Sequence, residues 1–214
     1  PPRSTLFPYT TLFRSDSTLN VNKEVDMVFS IANTLRGPYK ADKYKDIIIP
    51  MIIIRRLECA LATKDVSGKT RKQKVTEAFK KNPKTPQQVL ERLAGYPFYN
   101  TSDFDLAGLL DEAPAIVENF HFYLDSFSPN IKDMLITRLK FKEKITDLDK
   151  NNRLLGVVKK FSELDLNPET IDGHKMGYMF EEIIRRFSEN AEAGDHYTPR
   201  EVIRALSSIL LAEG

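Results

Sequence analysis

The chain has few cysteines and histidines, the residues that stabilise a fold through disulfides or bound metal ions. Its 214 residues include one cysteine, Cys59, and three histidines. One cysteine excludes an internal disulfide framework, and neither His121 nor His174 belongs to a cluster of cysteines and histidines that would suggest zinc. We therefore expect a protein of the reducing cytoplasm whose fold depends on packing, with Cys59 as a small core residue.

Long hydrophobic runs are missing as well. The longest run, Ile47 to Ile54, contains Pro50 and is far shorter than the roughly 20 residues that a transmembrane helix needs. Apolar residues nevertheless make up 41% of the sequence and charged residues 29%, which is ordinary for a globular protein with a core of useful size. We expect no membrane partner.

An excess of charge of one sign is also absent once the first residues are set aside. Residues 5–15 (TLFPYTTLFRS) look like the in-frame translation of a sequencing adapter, and we expect residues 1–15 to be an artefactual, disordered tail. The alternative is a short targeting segment. Arg3 and Arg14 are the only charges there, so without them 30 basic residues face 30 acidic ones. The overall charge therefore gives no evidence for nucleic acid.

From Asp16 onward, apolar residues recur at helical spacing almost throughout, and the pattern predicts a mainly α fold. A first helix ends at Gly37-Pro38. Residues 47–54 are ambiguous, because a β-branched run also fits a buried strand; flanking charges at helical spacing favour a helix kinked at Pro50. Further helices are predicted after Thr85 (read as a capping box that Gly95 closes), after Pro114, and over Ile131–Leu139, Asn152–Phe161, Met176–Phe187 and Thr198–Leu211.

Two short motifs imitate ligand loops without completing them. Ser67-Gly68-Lys69-Thr70 resembles the end of a phosphate-binding loop, but Thr63 stands where the first glycine is needed, so we interpret it as a surface turn. Residues 147–151 resemble the start of a calcium loop, but Val158 replaces the final acid. We interpret this segment as a helix boundary and predict no metal site.

A basic segment, residues 64–84, carries eight basic residues against Asp65 and Glu77. Lysine and arginine on an exposed turn suit contact with DNA phosphates, and we single out Lys69, Arg71, Lys72 and Lys74 as candidate DNA contacts. The alternative is an ordinary solvated loop.

Thr198-Pro199-Arg200-Glu201 is a strong helix-start signal. Such a start exposes backbone N–H groups and the positive end of a helix dipole, which suit a carboxylate or a phosphate. The alternative is a well-capped helix that binds nothing.

Two segments, in this order, resemble the modification subunit of type I restriction–modification systems, an adenine-N6 DNA methyltransferase. The first comprises residues 32–37 (ANTLRG) and 44–57 (YKDIIIPMIIIRRL). The second runs from residues 176–182 (MGYMFEE) to 194–200 (GDHYTPR). The resemblance implies an N-terminal helical bundle over residues 16–166, followed from 167 to 214 by the first helices of a Rossmann-like α/β methyltransferase domain.

The resemblance also implies a cofactor and partners. The aromatic-Thr-Pro segment of this family closes over the methionine end of S-adenosylmethionine, a role that falls here on Asp195, His196, Tyr197, Thr198, Pro199 and Arg200. DNA, a specificity subunit, a restriction subunit and a second modification subunit would be the partners. Relatives continue into a glycine-rich loop and an Asn-Pro-Pro-aromatic motif that these 214 residues do not contain, so we expect an inactive N-terminal fragment. The alternative is a non-catalytic helical adaptor that binds protein or DNA.

Overall fold

The computed structural model describes residues 22–189, and this part of the chain is a helical assembly without a β-sheet. The mainly α prediction is confirmed, and no Rossmann-like part is shown. The α-helices are α1 (Asn22–Ala32), α2 (Lys45–Ala62), α3 (Arg71–Lys81), α4 (Gln87–Ala94), α5 (Gly108–Asp111), α6 (Ile116–Asp125), α7 (Pro129–Lys132), α8 (Phe141–Lys150), α9 (Leu154–Ser162) and α10 (Gly173–Glu189). Short 3-10 turns cover Asn33–Leu35, Ala41–Lys43 and Ala113–Ala115, and a π-helical segment covers Asp133–Arg138.

The central element is α2, which packs against α3, α8 and α9. Every residue from Ile47 to Ile54 is buried, including Pro50. A helix that is apolar around its whole circumference belongs in a core, so the helix prediction is confirmed and the strand alternative is wrong. Even with this apolar helix, no helix within residues 22–189 is long and apolar enough to cross a membrane.

The last described helix, α10, packs against the first. The rings of Phe29 and Phe187 lie 4.8 Å apart, and the Arg186 guanidinium sits 5.2 Å from the centre of the Phe29 ring. Asp172 caps the helix by accepting the Lys175 amide at 2.8 Å. The helix predicted over Met176–Phe187 is confirmed and begins at Gly173. Residues 1–21 and 190–214 lie outside the described range, and with them the predicted tail and the predicted helix Thr198–Leu211.

Our interpretation of residues 64–84 as a turn or loop is wrong for residues 71–81, which form α3. The Thr70 hydroxyl accepts the Gln73 amide at 3.1 Å, and the Gln73 side chain accepts the Thr70 amide at 2.9 Å. This capping box satisfies two free donors of the helix start, and Val75 anchors the helix to the core. The many lysines of this segment favoured a loop in the sequence analysis, although residues 71–81 form a regular helix.

Other local predictions need correction. The Thr85 hydroxyl does not cap α4 but donates to the Asn82 carbonyl at 2.6 Å. Gly95 ends α4 as predicted, with a φ of 68°. Neither α5 nor α8 was predicted, and the helix predicted from Ile131 is α-helical only to Lys132, after which it widens into the π-helical segment.

Candidate nucleic-acid interface

The turn that leads into α3 is short and tightly closed. Lys64 and Thr70 pair across it, and Gly68 adopts a φ of 76°, which favours glycine. Asp65 accepts the Ser67 amide at 2.9 Å and forms a salt bridge with Lys74. Lys74 and Ser67 lower the pKa of Asp65 to about 2. The structure thus confirms a surface turn at Ser67–Thr70.

Two of the four candidate DNA contacts lie near the surface and have carboxylate partners. Lys69 pairs with Glu77 at 2.7 Å, and both side chains are about half exposed. Lys74 pairs with Asp65. Exposed pairs of this kind contribute roughly 0–1 kcal/mol, so a phosphate can compete with the carboxylate for the same ammonium.

The other two candidates are directed inward. Arg71 donates to the Thr63 hydroxyl at 2.9 Å and to the Ala94 carbonyl at 3.0 Å, and it lies over the Tyr96 ring. It thereby ties the start of α3 to the end of α4.

Lys72 donates to the Phe104 carbonyl and lies 5.4 Å from the centre of the Tyr123 ring. Burial lowers its pKa, against the attraction of Glu58 and two aspartates. Contact with a phosphate would require Lys72 to leave these partners. The DNA contacts named from the sequence stay a prediction.

Three exposed lysines of the basic segment make no salt bridge within residues 22–189: Lys64, Lys81 and Lys84. Their neighbour Lys80 pairs with Asp103 at 2.7 Å. The sequence does not distinguish these lysines from their neighbours, because the salt bridges of the basic segment depend on how α3 and the loop at Asp103 fold. The ammonium groups of these three lysines are therefore available to attract an anion at this surface.

Sequence reasoning missed a buried polar cluster around Glu58 of α2. Its side chain is 6% exposed, accepts the Leu106 amide at 2.6 Å and forms an ion pair with Arg55. The Tyr123 hydroxyl lies 3.4 Å from the same carboxylate. Burial raises the pKa of Glu58, while Arg55 and the Leu106 amide oppose that rise.

The neighbouring arginines reach the connection between α9 and α10, residues 163–172, which we call the α9–α10 link. Arg55 donates to the Leu164 carbonyl at 2.7 Å. Arg56 donates to the Leu166 carbonyl at 2.8 Å and to the Ile171 carbonyl at 2.6 Å. These hydrogen bonds hold the α9–α10 link against the central helix.

A cavity of about 480 Å³ lies where α10 meets the turn after α1. Its wall includes three aromatic rings and one arginine. The residues that line it are Phe29, Ala32, Asn33, Arg36, Gly37, Ala41, Tyr44 and Phe187. Residues 32–37 also belong to the first resemblance segment.

The remaining sequence predictions concern metals and the cofactor. Across the described range 22–189, no three His, Cys, Asp or Glu side chains come together in a way that could hold a metal ion. The residues assigned to S-adenosylmethionine, Asp195 to Arg200, lie outside that range. Their role stays a prediction.

With this geometry established, a comparison of the chain with protein families gives a match over residues 25–161, from α1 into α9, to the family described as the HsdM N-terminal domain. The chain belongs to the HsdM N-terminal domain family. The match includes the central helix, the basic segment and the cluster around Glu58. It ends before the α9–α10 link, so the domain boundary that we placed after residue 166 stays a prediction.

A curated relative agrees with the HsdM N-terminal domain assignment. The chain is 22% identical over 208 residues to the type I restriction enzyme MjaIX methylase subunit of Methanocaldococcus jannaschii. The alignment covers 88% of this chain and 35% of the relative, so the chain spans about a third of the length of that protein. The resemblance to a type I modification subunit is therefore confirmed. No solved structure matches the chain.

Proposed function

We propose that this chain is the N-terminal part of an adenine-specific DNA methyltransferase, the modification subunit of a type I restriction–modification system. The observation that carries the proposal is the family match over residues 25–161. In the whole protein, a methyl group would pass from S-adenosylmethionine to the N6 atom of adenine. Partners would be DNA, a specificity subunit, a restriction subunit and a second modification subunit.

Within this proposal, Asp195, His196, Tyr197, Thr198, Pro199 and Arg200 close over the methionine end of the cofactor. Free backbone amides at the start of the helix predicted from Thr198 would face the cofactor carboxylate. The residues that hold the flipped adenine belong to an Asn-Pro-Pro-aromatic motif, which the 214 residues do not contain. The chain alone should therefore not methylate DNA, and methyl-adenine formed from labelled S-adenosylmethionine by the purified chain would contradict this.

We further propose that the basic segment contacts DNA phosphates. Lys64, Lys81 and Lys84 make no salt bridge among the described residues, and Lys69 and Lys74 hold only surface pairs. Attraction of this kind is independent of sequence and depends on salt. It would place the duplex along the exposed side of α3.

The test is the salt dependence of binding to a duplex, measured by fluorescence anisotropy. The triple variant Lys64→Gln, Lys81→Gln, Lys84→Gln should flatten the slope of log Kobs against log salt by about 0.9 for each phosphate that the variant no longer neutralises. A matched triple, Lys23→Gln, Lys150→Gln, Lys159→Gln, removes the same charge from α1, α8 and α9. Its slope should stay close to that of the wild type. Equal effects of the two triples would show that only net charge matters.

A further inference from the structure

Side chains of one helix form hydrogen bonds to the α9–α10 link, and three of the link's own apolar side chains are buried in the core. Arg55 and Arg56 of α2 donate three hydrogen bonds to link carbonyls, across 109 to 115 positions of the sequence. The link also has internal turns, since the Asn167 carbonyl accepts the Thr170 amide at 3.1 Å and the Ile171 amide at 2.8 Å. Its conformation is therefore fixed from within and from the core.

Arg56 is unusual among the buried charges, because no carboxylate forms a salt bridge with it within the described residues. The residue is 6% exposed, and a buried charge is unfavourable unless hydrogen bonds compensate it. The carbonyls of Leu166 and Ile171 supply that compensation. If the link moved away, the buried Arg56 guanidinium would lose its hydrogen-bond acceptors. The link and the arginine therefore stabilise each other.

Arg55 connects the same link to Glu58, which lies one turn further along α2. Its guanidinium joins the Leu164 carbonyl and the Glu58 carboxylate, and that carboxylate accepts the Leu106 amide that precedes α5. The Tyr123 hydroxyl lies against Glu58, and the Lys72 ammonium of α3 lies over the Tyr123 ring. A continuous set of contacts thus runs from α3 to the link.

We propose that Arg55 and Arg56 form a latch that fixes the α9–α10 link and so sets the position of α10 on the bundle, with Glu58 orienting Arg55 within it. The proposal is independent of the methyltransferase assignment. It makes these arginines positioning residues, and loss of Arg56 should free one segment of the chain and leave the bundle folded. It also gives Lys72 a role as an inner contact of the Glu58 cluster.

The experiment is amide hydrogen exchange on the full chain with Arg56→Met, which keeps the length of the side chain and removes its donors. Exchange at Thr170, Ile171 and the first turn of α10 should rise about 10- to 100-fold, as expected when hydrogen bonds to a charged group are removed. Amides of α6 and α8 should stay within about twofold of wild type, because opening of the link is local. Arg92→Met, an exposed change on α4, should alter neither region.

Two further variants keep the test decisive. Arg56→Lys retains the positive charge and can donate to one of the two link carbonyls. It should therefore fold and raise amide exchange in the link by a factor between those of the wild type and Arg56→Met. Glu58→Gln keeps an acceptor for the Leu106 amide while weakening the hold on Arg55, and should raise exchange around Leu164 more than at Ile171. Link exchange equal to wild type in Arg56→Met and Arg56→Lys, or a rise matched by the whole bundle, would overturn the latch.

Discussion

Tyr39 and Asp147 meet across 108 positions of the chain, with the phenol donating a 2.7 Å hydrogen bond to the Asp147 carboxylate. The Asn151 side chain adds a second contact at 3.3 Å to the same hydroxyl. This pair fastens the turn after α1 to the end of α8. Asp147 is the first carboxylate of the segment that resembles a calcium loop, and it accepts a hydrogen bond from a tyrosine instead of binding an ion.

Tyr39→Phe should lower the free energy of unfolding by about 1 kcal/mol at neutral pH, the usual contribution of one hydrogen bond. Burial, and then Asp147, raises the pKa of Tyr39 to about 12. An unfolded tyrosine ionises near 10, so the contribution of Tyr39 is complete below that pH and is lost as the pH rises toward about 12.

Urea unfolding of both proteins across this alkaline range measures the effect. The difference between wild type and variant should shrink as the pH rises. A constant difference would mean that the phenol ionises alike in the folded and unfolded states.

Removing the buried carboxylate of Glu58 should be strongly destabilising. Glu58→Ala leaves the Arg55 charge and the Leu106 amide without their acceptor, and breaking a buried pair in this way costs about 3–5 kcal/mol. Glu77→Ala, which breaks the exposed pair with Lys69, should change stability by about 0.5 kcal/mol or less. Chemical unfolding of the two variants provides the comparison, and similar destabilisation in both would contradict the buried arrangement.

A side chain at the Gly95 turn should destabilise the protein. Its φ is 68°, and a Cβ there would collide with the Arg71 guanidinium that binds the end of α4. Gly95→Ala should cost about 1–2 kcal/mol for the left-handed conformation alone, with further destabilisation from the displaced arginine. Gly156→Ala is the control, since its Cβ would meet no atom within 4 Å in the interior of α9. That variant should be neutral or more stable by up to about 1 kcal/mol in thermal unfolding.

The sequence predicted best the elements whose apolar residues follow a helical period. The central helix and α10 were found in this way, although β-branched residues made Ile47–Ile54 ambiguous. The period fails where charge dominates: α3 has few apolar residues, and only the Thr70–Gln73 cap marked it.

The buried cluster around Glu58 could not be predicted from the sequence, for a different reason. Glu58 depends on Leu106 and Tyr123, which are 48 and 65 positions away. The spacing of residue types along the chain does not indicate contacts between positions so far apart. The one available signal was the presence of Arg55, Arg56 and Glu58 directly after an unbroken apolar run, where charges must find partners if the helix is central.

The final prediction concerns acid and the attachment of α10. Arg185, and then Arg186, lowers the pKa of Glu182 to about 2. A free glutamate titrates near 4.3, so the stabilisation from Glu182 is complete above that pH and is lost as the pH falls toward about 2. Arg186 also binds Asp26 at 3.1 Å and lies over Phe29, so protonation of Glu182 loosens the side chain that joins α10 to α1.

Exchange of α10 amides, corrected for the intrinsic effect of pH, should therefore accelerate as the solution is acidified through this range. Glu182→Gln should show the faster exchange already at neutral pH and little further change. Asp65→Asn is the matched control, because it removes a carboxylate of similarly low pKa from the turn before α3 and leaves α10 untouched. If Asp65→Asn abolished the acid response of α10 and Glu182→Gln preserved it, the attachment would not depend on Glu182.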